Sequence, residues 1–500
     1  PPQPLVYNNR TMASSLLLLF LFLSLFHLHH ALSPLEAGSL EWHDADWTDD
    51  GSAQIPLGNG DVTAGVWISN STNDLRILIS SSSAVNENSQ PVKIGVLRLT
   101  LDPPLDDLVQ RFDPTTAFFS IQGAGYTIRV YVDANAPLLR VSVRAEHSFS
   151  ATAQLEPYRR YEKSTLGFHQ ADCQPRWDHE DTIVDTSKLE APLNSTVTWY
   201  HQNPDNASQA FFDETLNRQG VDPSEFVNPF RGRIFGGSLS SEQLQPKDPW
   251  TLKGTNLTKL ELKIAVRTQR PSTAEAWLEG MSRLVTSTER DPEAAWNHHK
   301  STWEELWNRS YVVLSTRNNT NDTLMDNINA QIVWDRYLSL IQGRGSHSPL
   351  KFNGQAFTAN TTGKGWDWRF WGSGYWWQNT RQPYYNSLMQ GDGEVLDAMI
   401  SFYQQMVPLG RARTVRQFRD TDTPLPADAI FFPETTTAFG TYYMADWDNC
   451  DGNVSRPHGA SHSPWIRYHY TGGLELSLLI LDRYEWTKNV RVLERQLPLV

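Results

Sequence analysis

Between Gly365 and Tyr385 the chain reads Gly-Trp-Asp-Trp-Arg-Phe-Trp-Gly-Ser-Gly-Tyr-Trp-Trp-Gln-Asn-Thr-Arg-Gln-Pro-Tyr-Tyr. Five tryptophans fall between 366 and 377. Asp367, Arg369, Gln378, Asn379 and Arg381 are interleaved with them or follow. A sugar ring asks for this mixture. Its C–H faces stack on flat indoles, and its hydroxyls take paired hydrogen bonds from carboxylate, amide and guanidinium groups. Trp366, Trp368, Trp371 and Trp377 are the stacking candidates; Asp367, Arg369, Gln378 and Arg381 are the polar ones. The alternative puts Trp376 and Trp377 in a core and leaves the polar groups to local backbone. The charge carried by the stretch favours ligand binding.

Two carboxylate settings come next. Glu434 follows Pro433 between apolar segments, where desolvation favours a neutral acid able to donate a proton. Its alternative is to cap a following helix through its threonine neighbours. Glu475 and Asp482 lie seven apart, two helical turns, and project from one face beside Leu474, Leu478 and Leu479. Two acids on an apolar face are costly unless something needs them; the alternative is a solvated salt-bridge face. The sequence holds no GxSxG, HExxH or P-loop, and no GxGxxG between a strand and a helix. His43, His201, His458, His462 and His469 do not fall at metal-ligand spacing with the cysteines. No cofactor or metal is expected, and His469 is a candidate for the substrate edge.

Elements to hold these residues follow from periodicity. Segments 75–79, 95–101, 126–132, 138–144 and 260–267 largely alternate apolar and polar residues, the mark of half-buried strands. Residues 39–285 therefore read as an antiparallel β-sandwich (a supersandwich) without helical interludes. A linker over 286–322 carries a helix that begins at Asp291-Pro292 and repeats Trp296, His299, Trp303 and Trp307. Helical periodicity returns at 324–342, 394–406 and 473–486, within a domain spanning 323–500. Residues 489–500 read as ending without a helix cap.

Composition narrows the classes. The 500 residues suit two or three domains. With 39% hydrophobic and 20% charged residues, the chain is neither disordered nor a membrane bundle. Lys plus Arg number 43 against 56 Asp plus Glu, and the net charge of −13 argues against a nucleic-acid partner. Cys173 and Cys450 are too few for a disulfide framework or a zinc knuckle, whether paired or free. Residues 1–33 read as an upstream extension and signal peptide. Met12 precedes an apolar run over 16–26, too short to span a bilayer, and small Ala31 or Ser33 marks a cleavage region. Nine Asn-X-Ser/Thr sequons, at Asn70, Asn194, Asn206, Asn256, Asn308, Asn318, Asn321, Asn360 and Asn453, exceed chance. A secreted glycoprotein with no lasting membrane insertion is expected.

Ile55-Pro-Leu-Gly-Asn-Gly-Asp-Val-Thr-Ala-Gly-Val-Trp67 resembles the opening of the β-sandwich in family 95 glycoside hydrolases, the α-L-fucosidase-like group. It resembles more closely still the secreted proteins carrying domain of unknown function 5703. The helix with His299, Trp303 and Trp307, leading into Arg309–Leu314, is similar to that family's linker. Leu338–Phe357, with Phe352-Asn353-Gly354, looks like its first catalytic loop and makes Asn353 a substrate candidate. The resemblance implies a β-sandwich followed by a six-hairpin (α/α)6 toroid. It also implies inverting hydrolysis of α-L-fucosides or related sugars, with one carboxylic acid protonating the leaving oxygen. The family's paired asparagines fall on Gln378–Arg381. Asn379 matches one, and Arg381 stands where the second would be. The family's acid aligns with Asp482, with Glu475 and Glu434 as rivals. Only five or six of about twelve toroid helices are counted before Val500, so the toroid is expected to be C-terminally truncated and the chain weakened or inactive. Two other readings stand: a polysaccharide lyase using Asn379, Arg381, Tyr384 and His469, and a non-catalytic carbohydrate-binding protein.

Overall fold

The computed structural model describes residues 38–43, 49–87, 89–156, 159, 163–166, 175–288, 291–315, 323–345, 348–351, 356–360, 365–367, 374–417, 426, 428–441 and 471–500. The amino-terminal part is a large antiparallel sheet and the carboxy-terminal part is helical.

Fourteen described strands form the main sheet, and Leu138–Glu156 is its hub. Residues 139–145 of this strand pair with Tyr126–Val132, whereas residues 150–156 pair with Pro91–Asp102. Thr251–Gln269 runs along its other edge past both halves. One layer continues to Phe118–Gly123, Val109–Asp113 and Leu40–Trp42; the other to Leu75–Val85, Val62–Ile68 and Ile55–Gly58. The layers share a core in which Leu57, Val66 and Ile77 join Ile121, Ile128 and Val130. The strands were expected to be half-buried. Every residue of Val62–Ile68 and the first seven of Pro91–Asp102 are instead buried. Both faces of these strands are covered, and Trp366 packs with Trp67, Leu78 and Val96 on the outer one.

Two helices interrupt the sheet region, contrary to the sequence expectation. The first, α1 (Asp205–Arg218), is thin in apolar residues, and its periodicity reduces to Phe212 and Leu216, which bury against Val221 and Leu409. The second, α2 (Ala274–Ser287), is capped by the Thr273 hydroxyl accepting from the Ala276 N–H, and it buries Trp277 and Met281 against Tyr200 and Ile234. Next comes α3 (Pro292–Arg309), where the Asp291 carboxylate accepts from the Glu293 N–H at 3.0 Å and Trp296, His299, Trp303 and Trp307 are buried, as their spacing requires.

The helical part comprises α4 (Thr323–Gly343), α5 (Trp377–Thr380), α6 (Gln382–Gln390), α7 (Gly393–Gln405), α8 (Val407–Gln417), α9 (Thr471–Thr487) and α10 (Val490–Gln496). Here α4 packs on α6 and α7, α6 also on α9, and α9 on α10. The helix α10 starts at an N-cap: the Asn489 side chain accepts from the Val492 N–H. The Arg336 guanidinium, buried on α4, grips the Asp392 carboxylate in two bonds of 2.8 Å at the head of α7. That geometry satisfies a desolvated ion pair.

The segment 55–67 docks the two parts. Asn59 Oδ1 accepts from the Asp61 and Val62 N–H groups, and its amide nitrogen donates to the Asp133 and Ala136 carbonyls. Gly60, at φ +97°, donates its N–H to the Ile341 carbonyl at the end of α4. A Cβ there would sit 2.1 Å from the Gly345 nitrogen, so the close approach needs glycine. Tyr337 donates its hydroxyl to the Pro56 carbonyl at 2.7 Å. His299 seats α3 on the sheet. Its Nδ1 accepts from the Ala134 N–H at 3.2 Å, which leaves Nε2–H to donate to the Thr116 carbonyl at 2.8 Å.

Candidate active site

Tyr375–Trp376 pairs with Thr435–Thr436 as a short two-stranded ladder, which brings Glu434 to the start of α5. The Glu434 carbonyl accepts from the Trp377 N–H at 2.8 Å, its Oε1 from the Gln378 N–H at 3.0 Å and its Oε2 from the Thr435 hydroxyl at 2.6 Å. Glu434 is 4% exposed. A helix start leaves N–H groups without partners, and this carboxylate takes one of them. Capping is thus what Glu434 does. The helix it caps precedes it in sequence, whereas the capping alternative had placed a helix after it.

Trp377 is buried and crossed edge-on by Tyr403 with ring centroids 5.5 Å apart, and Gly472 of α9 leaves room for its ring. Its indole N–H donates to Glu475 Oε2 at 2.5 Å, and Arg381 Nη1 donates to the same oxygen at 2.9 Å. The Glu475 and Arg381 side chains are each about a quarter exposed. No described residue partners Glu475 Oε1, which is the oxygen left for a ligand. Tyr385, one turn beyond Arg381 on α6, joins this group. Partial burial and the Glu475 charge push its phenol above the usual range. The sequence reading overlooked Tyr385, although its four-residue spacing from Arg381 places both on one helix face.

Trp377, Gln378, Arg381, Glu434 and Glu475 are therefore brought together. Gln378 and Asn379 are exposed on α5. Asp482 is exposed on α9 and makes no hydrogen bond with a described residue; its charge is felt at Tyr385. The face expected to be apolar is largely open: Leu474 is 68% and Leu478 57% exposed, whereas Leu476, Leu479 and Ile480 carry the packing.

Two expected sugar contacts are used elsewhere. Trp366 lies against Trp67, with centroids 5.6 Å apart, on the outer face of the sheet. The Asp367 carboxylate is buried and accepts from the Lys93 N–H at 2.6 Å and from Arg159 Nη1 at 3.2 Å. Arg159 also donates to Asp181, which meets the His201 ring; His201 meets Glu87, and Glu87 meets His179. Burial alone would raise Glu87, but its bonds to His179 and His201 hold it down at about 2. Burial likewise opposes a charge on His201, and its bonds to Asp181 and Glu87 outweigh it and raise the imidazole. Asp367 is therefore a docking residue for its loop rather than a free sugar ligand. Asn353, Trp368, Arg369, Trp371, His469, Cys173 and Cys450 lie outside the described residues. Of the lyase set, Tyr384 is fully buried and donates to the Leu350 carbonyl at 3.3 Å, and Arg381 is committed to Glu475.

Among the described residues no group of three or more His, Cys, Asp or Glu could hold a metal ion, and no helix is long and apolar enough to cross a membrane.

The model of a family described as a domain of unknown function (DUF5703) matches residues 42–312, more than half of the chain. The chain belongs to the DUF5703 family. The DUF5703 match takes in the main sheet, α1, α2 and the docking helix α3. No curated protein matches the chain. Among solved structures the chain is similar to "Putative kojibiose phosphorylase from human microbiome", with a TM-score of 0.48 and 7% identity over 91% of this chain and 55% of that one. The chain thus spans about half the length of that protein.

Proposed function

We propose that this DUF5703 chain belongs to a secreted carbohydrate-active enzyme that hydrolyses a glycosidic bond, with α-L-fucosides or related sugars as substrates. One observation carries the reading. Glu475 is a part-exposed carboxylate whose Oε2 is fixed by the Trp377 indole N–H and the Arg381 guanidinium, with no described residue on Oε1. A carboxylate held in one orientation next to aromatic and guanidinium groups suits a polyhydroxylated ring.

Hydrolysis with inversion needs a second carboxyl group roughly 6.5–9.5 Å away, against about 5–5.5 Å for retention. Seven residues of helix rise about 10.5 Å, so Asp482 on the same helix fits the wider spacing better than the narrower. Glu434, with both carboxylate oxygens engaged, fits a catalytic acid less well. The motif at 55–67 and the α3 pattern support the fucosidase-like superfamily, and closure of the helices into an (α/α)6 toroid is part of the proposal. Secretion rests on the leader-like segment before residue 34 and on sequons, of which Asn70, Asn194, Asn206, Asn256 and Asn308 are exposed.

The test is a screen of the full-length protein against aryl glycosides, with the anomer of the product followed by NMR. An inverted product, together with at least a hundredfold loss of kcat in Glu475→Gln, is expected. Turnover unchanged in that variant would sink the assignment.

A further inference from the structure

Far from Glu475 in sequence, a cleft of about 1330 Å³ opens on the sheet region where α1 and α2 begin. It exceeds the roughly 300–1,000 Å³ of a small-molecule pocket and would take several linked rings. Arg270 is part of its lining; Arg233 is not, but shares an acceptor with Arg270. Arg233 Nη2 and Arg270 Nη1 both donate to one carbonyl, that of Pro229, at 3.3 Å each. The other end of Arg233 donates to the Ser83 carbonyl at 2.7 Å. Neither guanidinium is paired with a carboxylate among the described residues. Two like charges drawn to one neutral oxygen repel each other. Burial, and then the nearby Arg270, push Arg233 down to about 9.

The acids of the cleft do not repair this. Asp205 is committed to Arg231 at 3.3 Å, and Glu180 and Glu275 stand exposed on the rim. A second polar group also lacks its partner. Asn203 lines the cleft and is 1% exposed. Its amide nitrogen donates to the Val85 and Phe230 carbonyls, but no described residue partners its Oδ1. A buried acceptor without a donor costs about 1–3 kcal/mol unless a ligand or water supplies one.

We propose that this cleft binds an acidic oligosaccharide, whose carboxylate or sulfate pairs with Arg270 and whose hydroxyl donates to Asn203. The sugar as carrier of the anion rests on the carbohydrate reading above; the demand for an anion does not, and neither depends on turnover in the helical part.

The test is calorimetric titration of the full chain with tetragalacturonate, a sulfated tetrasaccharide, cellotetraose and inorganic sulfate. Expected is binding of one or both acidic tetrasaccharides at least tenfold tighter than cellotetraose, weakened by raising NaCl from 50 to 500 mM. Arg270→Gln, an exposed position, should lose at least tenfold with its Tm unchanged, while Glu475→Gln binds as the parent does. Equal binding of cellotetraose, or an unaffected Arg270→Gln, overturns the site. Inorganic sulfate binding as tightly as the acidic tetrasaccharides overturns the glycan and with it the dependence on the carbohydrate reading. Loss of binding in Glu475→Gln would move the ligand to the helical site and overturn the proposal too.

Discussion

The Trp377 indole N–H meets Glu475 Oε2 at 2.5 Å across 98 residues of chain. Trp377 also donates its backbone N–H to the Glu434 carbonyl, so one residue ties both acid settings of the helical part to α5. The bond to Glu475 orients a carboxylate; the bond to Glu434 builds a helix start. The two acids should therefore respond to substitution in different ways.

Trp377→Phe keeps an aromatic ring in the core and removes the N–H along with part of the ring volume, so the melt must be read beside the kinetics. Losing one hydrogen bond to a charged group costs about 1.5–3 kcal/mol. On the proposed function, kcat should fall at least tenfold while the chain still folds, read from kinetics beside a thermal melt. An unchanged kcat would show that Glu475 needs no orientation from the indole.

At Glu434 the expected damage is to stability. Glu434→Ala leaves the Gln378 N–H and the Thr435 hydroxyl without their acceptor, at about 1–3 kcal/mol by denaturant unfolding. Glu434→Gln retains an acceptor for Gln378 and should recover most of it with turnover intact. If the Gln variant folds normally yet loses turnover as Glu475→Gln does, Glu434 is the proton donor after all.

Acid should loosen the seat of α3 on the sheet through His299. Burial holds its imidazole down at about 4, and its Nδ1 accepts from Ala134. The folded value lies below the unfolded 6.5, so the unfolded chain binds the extra proton. Stability is then fully present above about pH 6.5 and is lost as pH falls toward 4, by on the order of 3 kcal/mol. Glu87 continues the loss from about pH 4.5 toward 2. His201, raised in the folded state, works oppositely and loses its contribution as pH rises through its folded value. His299→Asn should flatten the Tm profile between pH 4 and 6.5; a slope equal to the parent's there would rule this origin out.

Gly60→Ala should weaken the contact between sheet and helices by more than about 2 kcal/mol, since a Cβ meets backbone and the φ is positive. Limited proteolysis near residue 345 should quicken. An unaltered cleavage rate would mean that the turn can shift without cost.

Much of this architecture can be read from the chain because it is local. Alternation at 126–132 and the Trp296–Trp307 spacing each reflect a face that buries, and the structure buries those faces. The helix α1 escapes such reading because, among its described side chains, the apolar packing rests on Phe212 and Leu216. Asp367 escapes for another reason. Next to Trp366 and Trp368 it reads as a sugar ligand, but its partner Arg159 lies 208 residues away, and no local pattern announces so distant an ion pair. Trp377 had two readings, core and ligand contact; it is core, and its one polar atom reaches Glu475.

The strand Leu138–Glu156 has a thermodynamic consequence. Its nineteen residues spend one part of their backbone bonds in each layer, and Thr251–Gln269 spans the same divide. Neither layer can fray away whole without tearing a ladder that the other shares. The sheet region should lose its structure in a single concerted step, with amide exchange along residues 139–156 slowing to one common rate instead of separating into two populations.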